Sequence, residues 1–445
     1  MHRVTRCIVN KAGAQMKKTP LENWIMQRVG KDGKVREALE EYQLARIKDS
    51  LNYAKSRSRF YAKQLEDMDF REIRTLPDLR KIPFTLPRDI QSNPFAFSCV
   101  PKSEIARIVT LRSTGTKGEE KRVFFSESDL NQTVDFFLHG MSCLVDETDR
   151  VLVFLPGDSY GSIGQLLKTA LERAHIACFV HGVIIDHAKA AEEIIGKNIT
   201  CLVGIPTQIR SLFRTYGELF TCRIKSVLLS TDYVPEKLTQ ELTEKFGCRV
   251  FTHFGMTEMG YGGGVECEAL SGYHLREADL YFEIIDPNTG QSLPDGESGE
   301  VVFTTLTRKA MPLIRYRTGD IASFTKTPCA CGTFLKTMSR VMGRLENRIC
   351  LDGNEILYHW ELDELVFSLF EIEDYMAYLT EKNRLELELT MFDSSAFQSC
   401  SAELESNIQQ LALCKFGHEI ELRISQSQSK ANKITNSMTK RIFRS

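Results

Sequence analysis

The sequence predicts an α/β protein whose large N-terminal domain has mostly parallel sheets and a β-rich subdomain, followed by a small α+β C-terminal domain. From Val151 onward, short apolar runs alternate with segments of helical periodicity, which indicates βαβ units and a sheet covered on both faces. After Gly264, apolar runs flank a turn rich in Pro, Asn and Gly, which is typical of antiparallel strands. At 445 residues, the chain exceeds the size at which one hydrophobic core usually stops growing.

Each predicted helix and strand rests on a short local sequence pattern. Residues 35–65 have apolar side chains at helical spacing among charged ones and predict one long helix. The parallel sheet is predicted from strands at 151–155, 176–180, 201–204, 226–229 and 249–251, with helices at 164–174, 188–196, 208–216 and 236–246. Antiparallel strands are predicted at 281–285 and 300–303, and the C-terminal part has a helix near 361–370 and a strand at 385–389.

Three regions are expected along the chain. Residues 1–20 form a disordered leader, with Met16 as an alternative start; residues 21–342 form the large domain and residues 343–445 the small one. The basic residues near the N-terminus are not followed by a continuous apolar stretch, which argues against a secretory signal.

Composition narrows the classes of partner. A net charge of −2 gives no electrostatic reason to expect nucleic acid, and no apolar run approaches the roughly 20 residues of a membrane span. The 13 cysteines are an odd number and mostly stand singly in apolar segments. They therefore favour a cytoplasmic protein with reduced, mostly buried thiols. Because no apolar run is long enough for a span, no membrane partner is expected.

One segment packs hydroxyls, glycines and a lysine into six residues: Ser113, Thr114, Gly115, Thr116, Lys117 and Gly118. Glycine permits close backbone approach, so such a loop can place N–H groups, hydroxyls and one cation around a polyphosphate. It does not have the Walker P-loop pattern. On its own, a loop of this composition is more often an ordinary turn.

Three further segments follow in order: Phe254-Gly255-Met256-Thr257-Glu258, Tyr316-Arg317-Thr318-Gly319-Asp320 and Gly343-Arg344-Leu345-Glu346-Asn347-Arg348. Taken with the Thr/Gly loop, they resemble the adenylate-forming superfamily of acyl-CoA synthetases, in its phenylacetate–CoA ligase-like branch. The resemblance runs from about residue 21 to the C-terminus. Each motif is weak by itself, and the ordered set is specific.

The resemblance implies a nucleotide site in which the Thr/Gly loop grips the β- and γ-phosphates of ATP. Phe254, followed by Gly255, would stack on adenine, Thr257 would touch the α-phosphate and Glu258 would ligate Mg²⁺. The residue types are consistent with these roles, because a flat ring offers stacking area and a carboxylate suits a hard cation. The alternative is a buried aromatic beside a turn, with a glutamate facing solvent.

The other nucleotide contacts also follow from the resemblance. Asp320 would accept hydrogen bonds from both ribose hydroxyls, and Arg344 would lie near the ribose and phosphate. The adenine-contacting segment falls on Ser230, Thr231 and Asp232, which depart from the commoner Gly-Ala-Glu.

The resemblance further implies that the small C-terminal domain is mobile and pivots near Glu346 between two half-reactions. The adenylation lysine of the family aligns with Met438, so Lys440 is expected to replace it, with Lys433 and Lys430 as further substitutes.

Cys267, His274, Cys329 and Cys331 are expected to hold a structural Zn²⁺ as a Cys₃His tetrahedron. Two cysteines separated by one residue can form a knuckle around a soft metal. Related phenylacetate–CoA ligase-like proteins have a similar set. The alternative is four independently placed residues.

The function expected from this resemblance is an ATP-dependent, AMP-forming carboxylic acid–CoA ligase acting through an acyl-adenylate. Its cofactors would be ATP/AMP, Mg²⁺, coenzyme A and structural Zn²⁺. Its substrate would be a small carboxylic acid, aromatic acids included, in a pocket shaped by residues 158–162 and 260–264. The alternatives are an adenylyltransferase, an acyl-protein synthetase and a catalytically impaired adenylate-binding protein. Assembly as a homodimer is also left open.

Overall fold

The computed structural model describes residues 16–30, 35–112, 120–351, 355–380, 384–427 and 442–444. The helices are α1 Pro20–Val29, α2 Arg36–Arg57, α3 Arg59–Gln64, α4 Pro87–Ser92, α5 Glu127–Met141, α6 Ile163–Arg173, α7 His187–Gly196, α8 Pro206–Tyr216, α9 Glu236–Glu244, α10 His359–Ser368 and α11 Phe397–Phe416.

The strands of the first half are β1 Arg107–Arg112, β2 Glu120–Phe125, β3 Arg150–Val153, β4 Ala177–Val180, β5 Cys201–Gly204, β6 Ser226–Leu229, β7 Arg249–Phe254, β8 Gly264–Glu266, β9 Tyr273–Leu275 and β10 Leu280–Ile285. Those of the second half are β11 Gly299–Thr305, β12 Tyr316–Ala322, β13 Thr337–Met338, β14 Gly343–Arg344, β15 Arg348–Cys350, β16 Ile356–Tyr358, β17 Ile372–Leu379, β18 Leu385–Met391, β19 Leu422–Gln426 and β20 Ile442–Arg444.

An eight-stranded sheet forms the centre, in the order β13-β9-β8-β7-β6-β5-β3-β4. Strands β3 to β7 pair in parallel, whereas β7, β8, β9 and β13 pair antiparallel. Alternate residues of β5 enter two different hydrophobic clusters: Cys201 and Val203 belong to one, and Leu202 to the other. Apolar packing on both faces explains why these strands read as continuous apolar runs.

A second sheet, in the order β10-β11-β12-β14, is antiparallel throughout. It is the β-rich part predicted after Gly264. Strand β14 pairs with β12 so that Asp320 lies opposite Arg344. The predicted α/β fold class, with its mostly parallel sheet and additional β-sheets, is confirmed.

The C-terminal part has a hydrophobic cluster of its own, which spans residues from Ile349 to Ile420. It covers one face of a four-stranded sheet in the order β19-β18-β17-β20, with α10 and α11 packed against it. The helix predicted near 361–370 begins at His359 and ends at Ser368. The strand predicted at 385–389 continues to Met391.

The single helix predicted over residues 35–65 is wrong, because the chain forms two helices there. Ser58 has an extended backbone, and its hydroxyl oxygen accepts a hydrogen bond from the Tyr61 N–H at 3.2 Å. That contact is a helix N-cap, so α2 ends and α3 begins at this residue. Residues 1–15 of the expected leader lie outside the described residues, and Pro20 already begins α1.

None of the helices in the described ranges combines the length and the apolar composition needed to cross a membrane.

Arg210 of α8 joins the C-terminal part to the central sheet. Its side chain is buried and donates hydrogen bonds to the backbone carbonyls of Leu369, at 3.0 Å, and Ile372. Leu369 follows the last turn of α10, where backbone carbonyls lack helical partners and the helix dipole is negative. Nearby, the Tyr233 hydroxyl donates to the Glu364 carboxylate at 2.7 Å. The buried guanidinium of Arg210 on α8 therefore caps the C-terminal end of α10.

We predict that Arg210→Leu loosens this contact by about 2 kcal/mol, because hydrogen bonds from a charged donor contribute roughly 1.5–3 kcal/mol each. Hydrogen exchange should become faster in α10 and β17 and stay unchanged in β5 and β6. Arg173→Leu, on the exposed side of α6, is the matched control. Equal exchange in α10 in both variants would contradict the assignment.

Candidate active site

Glu258 lies in a buried turn after β7 and is paired with a lysine from a distant strand. Its Oε1 contacts the Lys121 Nζ of β2 and accepts a hydrogen bond from the Tyr316 hydroxyl at 3.1 Å. Burial raises the pKa of Glu258, but Lys121 outweighs that effect and holds the pKa below its usual value. The turn depends on Gly255, where a Cβ would lie 2.0 Å from the Tyr261 carbonyl oxygen.

A second buried carboxylate is paired in the same way. The Arg344 Nε donates to Asp320 Oδ1 at 2.8 Å, across the β12–β14 pairing. Asp320 is buried, whereas the Arg344 side chain is 43% exposed, so the pair opens to solvent on the arginine side. Burial raises the pKa of Asp320, and Arg344 opposes this effect. Glu258 adds to the negative charge around both residues.

The segment predicted to contact adenine begins where β6 ends. Ser230 follows β6, and its hydroxyl lies 3.0 Å from the Nδ1 of His253 on β7. Thr231 has a positive φ of 78°, which turns the chain away from the sheet, and Asp232 follows it. Ligands of open α/β sheets bind outside the carboxyl ends of the strands, which is where this segment lies.

Phe254 is buried at the end of β7. Its ring stacks on Tyr273, with 5.9 Å between centroids and 28° between planes. Thr257 begins the turn that carries Glu258, and both therefore lie beside the Lys121 contact. The stacking of Phe254 on adenine stays a prediction.

A small apolar cavity of about 30 Å³ lies next to Ser230, between α5, α6 and the central sheet. Phe136, Phe137 and Met141 contribute to its lining, and Ser230 and His253 are its polar lining among the described residues. Residues 158–162 and 260–264, expected to shape the acid pocket, are not among the described residues that line this cavity. The second segment instead packs behind it, since a Cβ at Gly262 would lie 2.4 Å from the Phe136 ring.

The four predicted zinc ligands come together. Cys267, His274, Cys329 and Cys331 are all buried, and their ligand atoms lie within 4.8 Å of one another. The Cys267 and Cys329 sulfurs are 3.6 Å apart, and the Cys331 sulfur is 3.6 Å from His274 Nε2. Burial lowers the pKa of His274 to about 4, so its imidazole is neutral, as metal binding requires.

Some predicted site residues lie outside the described residues. These are the Thr/Gly loop from Ser113 to Gly118, and Lys440 with its proposed substitutes Lys430 and Lys433. Glu346, the expected pivot, lies in the turn between β14 and β15 and is exposed.

The sequence interpretation missed three residues of this site. Lys121 stands three residues beyond the end of the Thr/Gly loop and Tyr316 opens the Asp320 motif, so proximity to a motif was the available signal. His253 directly precedes Phe254 and carried no signal of its own. It lines the apolar cavity.

Comparisons with known proteins agree with this architecture. A family model described as AMP-binding enzyme matches residues 74–306, more than half of the chain. Phenylacetate–coenzyme A ligase of Thermus thermophilus is 28% identical over 348 residues, covering 76% of this chain and 77% of that protein. The Escherichia coli enzyme of that name is 27% identical over 366 residues, with coverages of 78% and 79%.

Solved structures show the same fold. The 2-hydroxyisobutyryl-CoA ligase in its postadenylation state matches with a TM-score of 0.78 at 18% identity, covering 91% of this chain and 89% of that one. In its thioesterification state the score is 0.66 at 19% identity, with coverages of 92% and 90%. The chain belongs to the AMP-binding enzyme family. The resemblance to adenylate-forming enzymes, in the phenylacetate–CoA ligase-like branch, is confirmed.

We predict that Lys121→Met lowers the free energy of unfolding by about 3 kcal/mol near neutral pH, because removing one partner of a buried ion pair leaves a charge uncompensated. Since Lys121 holds the pKa of Glu258 low, the contribution of the pair is lost as the pH falls through that lowered pKa. The difference between variant and wild type should therefore shrink in acid.

Denaturant unfolding at neutral and acidic pH measures this difference. The double variant Lys121→Met/Glu258→Gln is the control and should recover part of the loss, because it removes the uncompensated charge. A difference that does not change with pH, or a double variant less stable than Lys121→Met, would contradict the pairing.

Proposed function

We propose that this protein is an ATP-dependent, AMP-forming carboxylic acid–CoA ligase that works through an acyl-adenylate. The observation that carries the proposal is the pair of buried carboxylates, Glu258 and Asp320, each held by a cation of the chain. Carboxylic acids lack a good leaving group, and transfer to AMP supplies one. Catalysis of that transfer is chiefly positioning and electrostatic stabilisation.

The first carboxylate would serve the phosphates. Glu258 is the type of oxygen donor that fits Mg²⁺, which would neutralise phosphate charge when bound. Lys121 places a positive charge from the chain at the same carboxylate, directly after the Thr/Gly loop. We propose that Lys121 exchanges Glu258 for phosphate oxygens when ATP enters, with Thr257 at the α-phosphate.

The second carboxylate would serve the ribose. Asp320 has two oxygens that can accept hydrogen bonds from a vicinal diol, and one of them now binds Arg344. Since Arg344 is partly exposed, it can turn toward phosphate without crossing the core. Ser230, Thr231, Asp232 and Phe254 would border the adenine at the ends of β6 and β7.

The acid would enter the apolar cavity, and an aromatic acid fits its lining of phenylalanine rings. A volume of about 30 Å³ is close to the share of one water molecule, so a ring must displace lining side chains. Met141 is suited to such movement, because its unbranched side chain adapts to irregular spaces.

The second half-reaction would transfer the acyl group to coenzyme A. We propose that residues 343–445 act as a small domain that pivots near Glu346 and brings Lys440 to the α-phosphate in one position. The arrangement described here matches the postadenylation state of 2-hydroxyisobutyryl-CoA ligase better than its thioesterification state, so it would correspond to one of the two positions. Assembly as a homodimer stays a prediction.

We predict that the purified protein releases pyrophosphate with a carboxylic acid and ATP alone, and releases AMP with added coenzyme A. Glu258→Gln should abolish the first step, because a nearly isosteric change removes the charge that would hold Mg²⁺. Glu120→Gln, at a half-buried carboxylate of β2 that pairs with Arg122, is the control. Adenylate formation within about threefold of wild type, equal to ~0.6 kcal/mol, would contradict the role of Glu258.

The same assay separates the alternatives. An adenylyltransferase would leave AMP on its substrate, an acyl-protein synthetase would need a protein thiol in place of coenzyme A, and an impaired adenylate-binding protein would bind nucleotide without releasing pyrophosphate.

We propose a structural Zn²⁺ bound by Cys267, His274, Cys329 and Cys331. Three thiolates and an imidazole form a closed tetrahedral set that suits zinc, with no open position for water. His274 lies on β9 and pairs with Thr337 of β13, while Cys329 and Cys331 lie in the loop before β13. The metal would therefore hold that loop against the edge of the central sheet.

Metal analysis tests this proposal, with one zinc per chain expected. The double variant Cys329→Ser/Cys331→Ser should lose the metal, whereas Cys222→Ser, at an exposed cysteine elsewhere, should keep it. Less than about 0.2 zinc per chain in the wild type would refute the site, since a closed structural site binds zinc tightly.

A further inference from the structure

We propose that Arg308 binds the carboxylate of the substrate acid and holds it next to the turn that carries Glu258. The proposal rests on the function proposed above and assigns a further substrate-binding residue to that reaction. Arg308 lies in the loop between β11 and β12, outside the motifs that predicted the nucleotide site.

The starting observation is a buried cation without a carboxylate partner. Arg308 is 8% exposed, and its Nη1 has no hydrogen-bond partner among the described residues. Asp129 and Glu258 act on it only as charges at a distance. The Asp129 carboxylate accepts two backbone N–H groups of the same loop, and the Glu258 carboxylate holds Lys121. An uncompensated buried charge is costly, so a cation in this state indicates that a ligand supplies the anion.

The guanidinium of Arg308 is charged and fixed in place. Burial lowers its pKa, but a guanidinium stays protonated near neutral pH. Its Cζ lies 4.7 Å from the centroid of the Phe125 ring, which stacks on Tyr261 with 5.5 Å between centroids and 8° between planes. The contact with Phe125 offsets part of the cost of burial, but it leaves the N–H donors without an acceptor.

A second arginine adds positive charge at the same place. Arg107 of β1 lies opposite Phe125 in the β1–β2 pairing, and its buried Nε also has no partner among the described residues. Burial raises the pKa of Tyr261, and both Arg107 and Arg308 oppose that effect, so both arginines lie near this tyrosine. Two arginines around one neutral side chain give a local excess of positive charge, which suits an anion.

The position of Arg308 fits the carboxylate of the acid. Its Nη2 lies 2.8 Å from the place of a Cβ on Gly260, two residues beyond Glu258, and the Thr133 hydroxyl oxygen lies 3.1 Å from the same place. Thr133 stands on α5 one turn before Phe137, which lines the apolar cavity. Arg308 therefore lies between the carboxylate proposed to serve the phosphates and the cavity proposed for the apolar part of the acid.

The chemistry of adenylation needs an acid held in this way. One carboxylate oxygen attacks the α-phosphorus of ATP, the bond from that phosphorus to the pyrophosphate oxygen breaks, and pyrophosphate leaves with the bonding electrons. The acid reacts as its anion, so no proton has to be removed. A guanidinium that binds one carboxylate oxygen leaves the other free to attack, and its charge offsets the repulsion between the carboxylate and the phosphates.

The kinetic experiment compares the wild type with Arg308→Met in the pyrophosphate-release assay, with phenylacetate, benzoate and isobutyrate as acids. The KM for the acid should rise at least about tenfold, as expected for the loss of a charge-assisted hydrogen bond. The KM for ATP should stay within about twofold, because the phosphates are bound elsewhere. Arg308→Lys keeps the charge without the planar fork and should lie between the two.

Denaturant unfolding separates this role from a structural one. Arg308→Met removes an uncompensated buried charge, so its free energy of unfolding should equal or exceed that of the wild type. Arg276→Met is the matched control. The Arg276 Nη1 lies 3.8 Å from the same place on Gly260, but its Nε donates to Asp279 at 2.8 Å. Breaking that buried ion pair should lower the free energy of unfolding.

A binding measurement identifies the anion without turnover. Phenylacetate should raise the Tm of the wild type more than phenylacetamide, its neutral isostere, and this difference should vanish in Arg308→Met. Inorganic pyrophosphate should raise the Tm of both proteins equally. A loss of the pyrophosphate effect in the variant, with a raised KM for ATP, would show that Arg308 binds phosphate and would overturn the assignment.

The remaining outcomes also decide. An unchanged KM for the acid in Arg308→Met overturns the inference, whatever the stability of the variant. If Arg308→Met does not fold, the KM for the acid in Arg308→Lys decides in the same way. If none of the three acids supports pyrophosphate release by the wild type, the proposed function itself fails.

Discussion

The structure depends on the need to pair two buried carboxylates that lie close together. Glu258 and Asp320 repel each other in a region that excludes water, so each requires a cation. Lys121 comes to the first from β2 and Arg344 to the second from β14. These contacts bind together a hairpin, a turn after the central sheet and an edge of the second sheet. The charges that adenylation would use also hold the three parts in register.

The site lies where the central sheet changes from parallel to antiparallel pairing, between β7 and β8. The parallel strands are buried on both faces, so they are rigid and their carboxyl ends are fixed in space. Ser230 and His253 stand at two of those ends.

Two of the charged contacts between the C-terminal part and the rest of the chain differ in character. Arg344 is partly exposed and binds a site carboxylate, whereas Arg210 is buried and binds backbone carbonyls far from it. An exposed ion pair is easily exchanged for ligand contacts, but a buried cation is not exposed without compensation. A pivot near Glu346 of the kind proposed would therefore have to break the Arg210 contact.

Periodicity predicted strands β3 to β7, β10, β11 and β18 and helices α6 to α10, because burial on one or both faces produces local patterns of two to four residues. The motif residues predicted that Cys267, His274, Cys329 and Cys331 would lie together. The break at Ser58 was missed, since a serine in a helical pattern reads as an ordinary surface position until its cap is seen. The pairing of Lys121 with Glu258 joins residues far apart in the chain, and the small cavity beside His253 exists only because α5, α6 and the central sheet enclose it. Such relations depend on three-dimensional distance and exclusion of water, which only the tertiary structure decides.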